Sequence, residues 1–146
     1  MKPMPTHVDA LVIGAGPAGA AAASILHKRS HSVLVLEKTD FPRFVIGESL
    51  LPRSMDLLDA TGLLEDATHC GYLKKHGAAF LRGDEFSSFD FAEQYTKGWT
   101  WTWQVPRDDF DLGLTKTIQA MGIDLRFKHA VTKAETGTVV PLAIGR

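Results

Sequence analysis

One segment, Gly14-Ala15-Gly16-Pro17-Ala18-Gly19, constrains this chain more than any other. It follows a short apolar run, Val8 to Ile13, that reads as a buried strand. It opens a helical stretch, Pro17 to Arg29, with proline near its first position. Ser32 to Glu37 then reads as a second buried strand, built on Val33-Leu34-Val35-Leu36. Strand, glycine turn, helix and strand in this order make a βαβ unit. The three glycines answer three different demands. Gly14 permits the tight turn off the strand, Gly16 lets a pyrophosphate approach the backbone, and Gly19 lets the helix pack closely on the sheet. Free N–H groups and the positive end of the helix dipole then face the anion. Glu37, at the end of the second strand, is suited to accept hydrogen bonds from a ribose diol and would repel a 2′-phosphate. A structural turn with a solvated strand-end charge is the alternative reading.

With 146 residues there is room for one domain with a real core. Sixteen basic against 17 acidic residues leave a net charge of -1, without the basic excess of a nucleic-acid surface. Cys70 is the single cysteine, which excludes a disulfide framework and a cysteine-based metal cluster. No metal site is expected among the histidines. No apolar run is long enough for a membrane span, and Met1 to His7 show no secretory h-region, so a cytoplasmic location is expected.

Beyond the βαβ unit, Phe41 to Glu48 reads as a loop, Leu50 to Ala60 as a helix stopped by Gly62, and Leu63 to Thr68 as a second short helix. Gly77 to Leu81, Phe86 to Phe91 and Trp99 to Val105 read as aromatic-rich strands. Asp108 to Met121 returns to helical spacing before Gly122, and Ile123 to Val131 reads as one more strand. Thr136 to Arg146 show no clear period.

Three stretches carry a resemblance. Val8 to Glu37 resembles the FAD site of glutathione-reductase-like flavoproteins, especially the aromatic hydroxylase and geranylgeranyl-reductase branches. The run from Pro42 to Pro52 resembles the P-R-x-x-x-G-E-S segment of flavin-dependent halogenases. Gln104 to Asp111 resembles their Q-V-x-R-x-x-F-D segment. The likeness runs from about Val8 to about Val131. It implies an α/β, Rossmann-type FAD-binding fold, a parallel sheet with inserted antiparallel strands, and FAD as cofactor. Residues 1–146 would be a partial FAD-binding domain, with 77–105 a strand-rich insertion toward the substrate side. Family members run to several hundred residues, so the chain is expected to be truncated.

The resemblance also implies roles. Pro17 and Ala18 join the three glycines in the pyrophosphate turn, and Lys38 and Val131 join Glu37 at the cofactor. Gly47, Glu48 and Ser49 would lie beside the flavin ring, although Glu48 and Ser49 also suit a helix N-cap. Arg43 and Arg107 align with arginines that approach the cofactor, where a guanidinium donates several hydrogen bonds in fixed geometry. Arg43 equally suits a solvated loop, and Arg107 equally suits pairing with Asp111 one helical turn on. Lys75 falls in a K-x-G-A-x-F stretch whose lysine, in halogenases, relays the oxidised halide, and Lys74 beside it could be the aligned residue. Trp99, Trp101 and Trp103 read as one face of a strand rather than as the halogenase W-x-W-x-I-P motif, which falls much later in the chain.

The implied function is FAD-dependent oxidation, by a monooxygenase or halogenase, of an organic, aromatic substrate. A flavin reductase or NAD(P)H would supply electrons. The alternatives are a geranylgeranyl-reductase-like enzyme and a truncated, inactive FAD-binding module. Oligomeric state is open.

Overall fold

The computed structural model describes residues 3–135, so the Thr136 to Arg146 tail lies outside the described residues. Strands β1 (Ala10–Ile13), β2 (Val33–Leu36) and β7 (Asp124–Arg126) form a parallel sheet in the order β1-β2-β7. All four residues of β2 are buried, as its unbroken Val-Leu run demands of a central parallel strand. Helix α1 (Pro17–Lys28) makes the crossover between β1 and β2. Its fully buried Ala20 and Ala23 keep that face small. Helix α4 (Arg107–Ala120) packs beside α1 and leads into β7. Phe110, Leu114 and Ile118 of α4 bury in one core with Val35, Met55, Leu63 and Trp103. Each such side chain contributes about 1.5–3 kcal/mol of burial free energy.

The helix α2 (Pro52–Thr61) begins two residues later than the apolar pattern suggests. Leu51 is extended, at φ -107 and ψ 153, because a residue preceding proline is kept out of the helical region. Gly62 ends α2 in the left-handed conformation at φ 77, as expected, and α3 (Leu64–Thr68) follows. The strand expected over Ile123 to Val131 is shorter than its apolar pattern. Lys128 turns to φ 59 just beyond β7, and His129 N–H instead donates to the Glu37 carbonyl at 2.9 Å.

One strand has no counterpart in the sequence reading. β3 (Leu73–Lys75) pairs antiparallel with β6 (Thr102–Gln104), setting Lys74 opposite Trp103 and Lys75 opposite Thr102. Only these three residues of the expected Trp99 to Val105 strand are in the ladder. The tryptophans still share a face: Trp99–Trp101 and Trp101–Trp103 ring centroids lie 5.1 and 5.7 Å apart, edge to face. Lys74 Nζ sits 4.3 Å over the Trp101 ring.

The hairpin of β4 (Gly77–Arg82) and β5 (Glu85–Asp90) turns at Gly83-Asp84, with Gly83 at φ 59. Phe91 leaves β5 to begin a short 3-10 turn, where Ala92 N–H donates to the Asp90 carboxylate at 2.8 Å. Among the described residues, β1 pairs on one edge alone, and its Leu11 and Ile13 are 48% and 61% exposed. No helix among them is long and apolar enough to cross a membrane. His27 and His31 stand four residues apart, but α1 ends at Lys28 between them, so the two rings do not share a helical face.

Candidate functional site

The glycine turn is built as its spacing requires. Gly14 adopts φ 97, a conformation open to glycine and costly for other residues. A Cβ on Gly19 would stand 1.9 Å from the Gly14 carbonyl oxygen, so the helix can approach the turn only without one. Gly16 is the N-cap of α1 and brings no capping side chain, and the first turn carries no acidic residue. The opening N–H groups therefore have no carboxylate from their own helix, an arrangement that suits an anion. A side chain on Gly16 would point at Arg43, whose Nη2 is 3.6 Å from the position of that Cβ.

Glu37, 3% exposed, closes the turn from the end of β2. Its Oε2 accepts from Ala15 N–H at 2.9 Å. Its Oε1 accepts from Thr39 N–H at 3.1 Å and Thr39 Oγ1 at 2.8 Å. Burial works against the ionised carboxylate. The hydrogen bonds from Ala15 and Thr39, with Arg43 nearby, outweigh it and hold the pKa below the usual glutamate value. Glu37 is thus not a solvated charge, because it ties the turn to β2. A recess of about 660 Å³ opens beside it, lined among others by Gly14, Lys38, Arg43, His129 and Val131.

Arg43 is not a solvated loop charge. Its guanidinium lies 4.6 Å over the Phe41 ring, and Nη2 is 3.9 Å from Asp111 Oδ2. Its Nε is buried without a hydrogen-bond partner among the described residues. Arg107 does pair with Asp111, through Nε at 2.8 Å and Nη2 at 3.0 Å. It also reaches the neighbouring loop, where Nη1 donates to Gly47 O at 3.2 Å. The Asp111 hydrogen bond raises the Arg107 pKa further against partial burial.

Glu48 and Ser49 do not cap α2, whose N-cap is Leu51. They lie along β6 instead: Val105 N–H donates to Glu48 O at 2.8 Å, and Ser49 bridges to Gln104. Glu48 Oε2 accepts from Gly47 N–H at 3.1 Å, and Gly47 holds φ 116. Lys75 ends β3 with its ammonium donating to Ser49 Oγ and, at 3.3 Å, to Leu50 O. The Lys75 Nζ also lies 5.3 Å from the Phe91 ring centroid. Lys74 points to Trp101, so it is Lys75 that joins the Gly47-Glu48-Ser49 segment. The β3–β6 pair brings these two stretches together.

Sequence patterns alone do not single out Thr39, His129 or the bridging position of Asp111. Thr39 follows Glu37 by two residues, the spacing of a local side-chain turn, which is the signal that could have found it. His129 carried no local signal.

The residues present fit a flavin dinucleotide. A turn that a Cβ would fill and a buried guanidinium nitrogen without a partner beside it suit a pyrophosphate. The FAD binding domain family matches residues 7–143. Flavin-dependent halogenase armH4 of Armillaria mellea is 35% identical over 133 residues, covering 88% of this chain and 25% of that protein. The crystal structure of a flavoprotein/dehydrogenase from Cytophaga hutchinsonii superposes with a TM-score of 0.82 at 48% identity, over 87% of this chain and 32% of that one. The flavin-dependent halogenase CmlS gives 0.81 at 36% identity, over 90% and 24%. The chain thus spans about a quarter of the length of the curated relatives it matches.

Proposed function

Since the chain belongs to the FAD-binding domain family and FAD is its cofactor, we propose that it forms the dinucleotide-holding part of an oxidoreductase. That enzyme is a monooxygenase or halogenase acting on an organic, aromatic substrate. FAD, when bound, supplies two-electron redox chemistry and the activation of dioxygen. The protein's share is binding and orientation. Gly14, Gly16 and Gly19 with Pro17 and Ala18 admit the pyrophosphate, and Glu37, Lys38 and Val131 line the adenosine side. Arg43 offers the Nη2 that stands beside Gly16 to the anion. Arg107, Gly47, Glu48 and Ser49 face the ring side.

The observation that carries the reading is the Lys75 ammonium held on Ser49 and Leu50, at the same segment that Arg107 anchors through Gly47. An amine at that position can donate a hydrogen bond to an oxidised halide, or carry the halogen itself once its proton is lost. The strand-rich stretch 77–105, which includes the hairpin, borders the substrate. Electrons come from a flavin reductase or NAD(P)H. A single cysteine, Cys70, unpaired and exposed, supports work in the reducing cytoplasm.

Two measurements test this. Gly16→Val should abolish flavin retention, and undiminished binding would overturn the cradle assignment. The whole gene product, supplied with bromide, a flavin reductase and phenols, should yield halogenated product. Lys75→Ala should eliminate that product while flavin oxidation continues. Hydroxylated product alone, unaffected by Lys75→Ala, would remove the halogenase reading and leave the monooxygenase one.

A further inference from the structure

Asp111 is 1% exposed and stands where helix α4 meets the loop that carries Arg43 and Gly47. It takes Arg107 as a two-point pair at 2.8 and 3.0 Å. Arg107 in turn carries the Gly47 carbonyl at 3.2 Å and the Ile46 carbonyl at 3.4 Å. On its other side Asp111 approaches Arg43 at 3.9 Å, a looser contact that leaves Arg43 beside Gly16 with Nε unsatisfied. One carboxylate thus serves two guanidiniums, while Glu37 acts on Arg43 and Glu48 on Arg107 from their other sides.

We propose that Asp111 is a positioning residue that sets the pyrophosphate side and the flavin-ring side of the site in one fixed arrangement. It does so by orienting Arg43 and Arg107 together. The inference rests on the FAD reading above. Asp111 does not itself face the ligand. The fork-to-fork geometry with Arg107 fixes the plane of that guanidinium, and so the place of the Ile46–Gly47 carbonyls. The longer contact biases Arg43 toward the turn without consuming its donors.

The sign of one effect separates this role from plain electrostatics. Asp111 is an anion near an anion site. Coulomb's law alone has its neutralisation strengthen the binding of a diphosphate. Positioning has the same change weaken it, because both arginines lose their reference point. The test is FAD titration of the chain and of Asp111→Asn, followed by flavin fluorescence. Heteronuclear NMR reports in parallel on dispersion and on the shifts that adenosine causes around Glu37 and Val131. The proposal expects about tenfold weaker FAD binding, a dispersed spectrum, and unaltered adenosine shifts. Equal or tighter FAD binding by Asp111→Asn overturns it. Should that variant lose its dispersed spectrum, Asp111→Glu keeps the buried charge and moves the carboxylate by one methylene. Severalfold weaker FAD binding is then expected, and parent-like affinity overturns the proposal. A parent chain that binds neither FAD nor adenosine instead overturns the cofactor reading on which the proposal stands.

Discussion

Gly19 and Gly77 face the same steric demand in very different surroundings. An added Cβ would lie 1.9 Å from the Gly14 carbonyl oxygen in one case and 2.3 Å from the Phe89 carbonyl oxygen in the other. Around Gly19 the neighbours Ala15, Ala20 and Ala23 are fully buried, and Glu37 ties the turn to a buried strand. Around Gly77 lies a hairpin whose Phe80, Leu81, Phe86 and Phe89 are all exposed, and whose contacts are mostly between its own two strands. The same clash therefore has different outlets. The cradle is tied to a buried strand through Ala15 and Glu37, whereas the hairpin can separate its strands toward solvent. Rigidity here comes from what surrounds a close approach more than from the approach itself.

Four substitutions test this difference between cradle and hairpin. Gly19→Ala should have the largest effect. Overpacking a confined site costs about 1–3 kcal/mol and more where backbone is the obstacle. Chemical denaturation should show a loss above that range, with flavin retention gone. A variant that keeps both would show that the turn yields. Glu37→Gln comes next, with FAD affinity about tenfold lower, a change of about 1.4 kcal/mol. Its pH dependence is specific. The folded-state pKa of Glu37 is lowered, so its stabilising contribution is present above the unfolded glutamate pKa. That contribution is lost as pH falls through the lowered folded value. The parent should lose stability through that acid window, and Glu37→Gln should show a flatter acid limb from a lower starting point. Identical limbs would contradict the role.

Gly77→Ala should cost about 1 kcal/mol, the low end of overpacking. Its amide shifts should be confined to β4, β5 and the Phe91 turn, with FAD binding unchanged. A loss matching that of Gly19→Ala would erase the distinction between the regions. The smallest effect on stability belongs to the double change Phe80→Ser and Phe86→Ser, within about 0.5 kcal/mol for exposed positions. Phe80 with Phe89 on one face of the hairpin, and Leu81 with Phe86 on the other, leave exposed apolar surface that favours association. Sedimentation should therefore show less self-association in this variant than in the parent, and equal association would place the sticky surface elsewhere, for example at Leu11 and Ile13 of β1.

The same contrast explains what could be read in advance. The strand–turn–helix–strand order was legible because each demand is local: Gly14 for its φ, Gly19 for its close approach, Val33 to Leu36 for double burial. Even Arg107 and Asp111 were legible as a helical pair, since four residues apart is a property of the helix itself. β3 was not legible. Leu73-Lys74-Lys75 has no alternation to mark it, and its three residues are strand only because β6 lies alongside. The ends of α2 and β7 shifted for reasons of single residues, Pro52 and Lys128, that apolar period does not register. Within the site, Lys75 on Ser49 and Asp111 near Arg43 depend on segments brought together from 26 and 68 positions apart. No spacing rule covers such distances.

The order of the sheet has a consequence for how the molecule assembles in time. β1 and β2 pair across 23 positions, Ala10 with Val33, while β2 and β7 pair across 90, Leu34 with Asp124. Loop-closure entropy grows as the logarithm of that separation, so the second pairing carries about 1.2 kcal/mol more. The glycine turn can therefore form early, on a nascent chain that has exposed little more than its first forty residues. The opposite wall of the recess, with His129 and Val131, arrives only when β7 docks and Glu37 N–H finds the Arg126 carbonyl at 2.9 Å. Substitutions in β1 and β2 should then slow folding, and those in β7 should chiefly speed unfolding. On a ribosome, the wall of the recess built by Gly14 and Glu37 would emerge some seconds before the wall built by His129 and Val131.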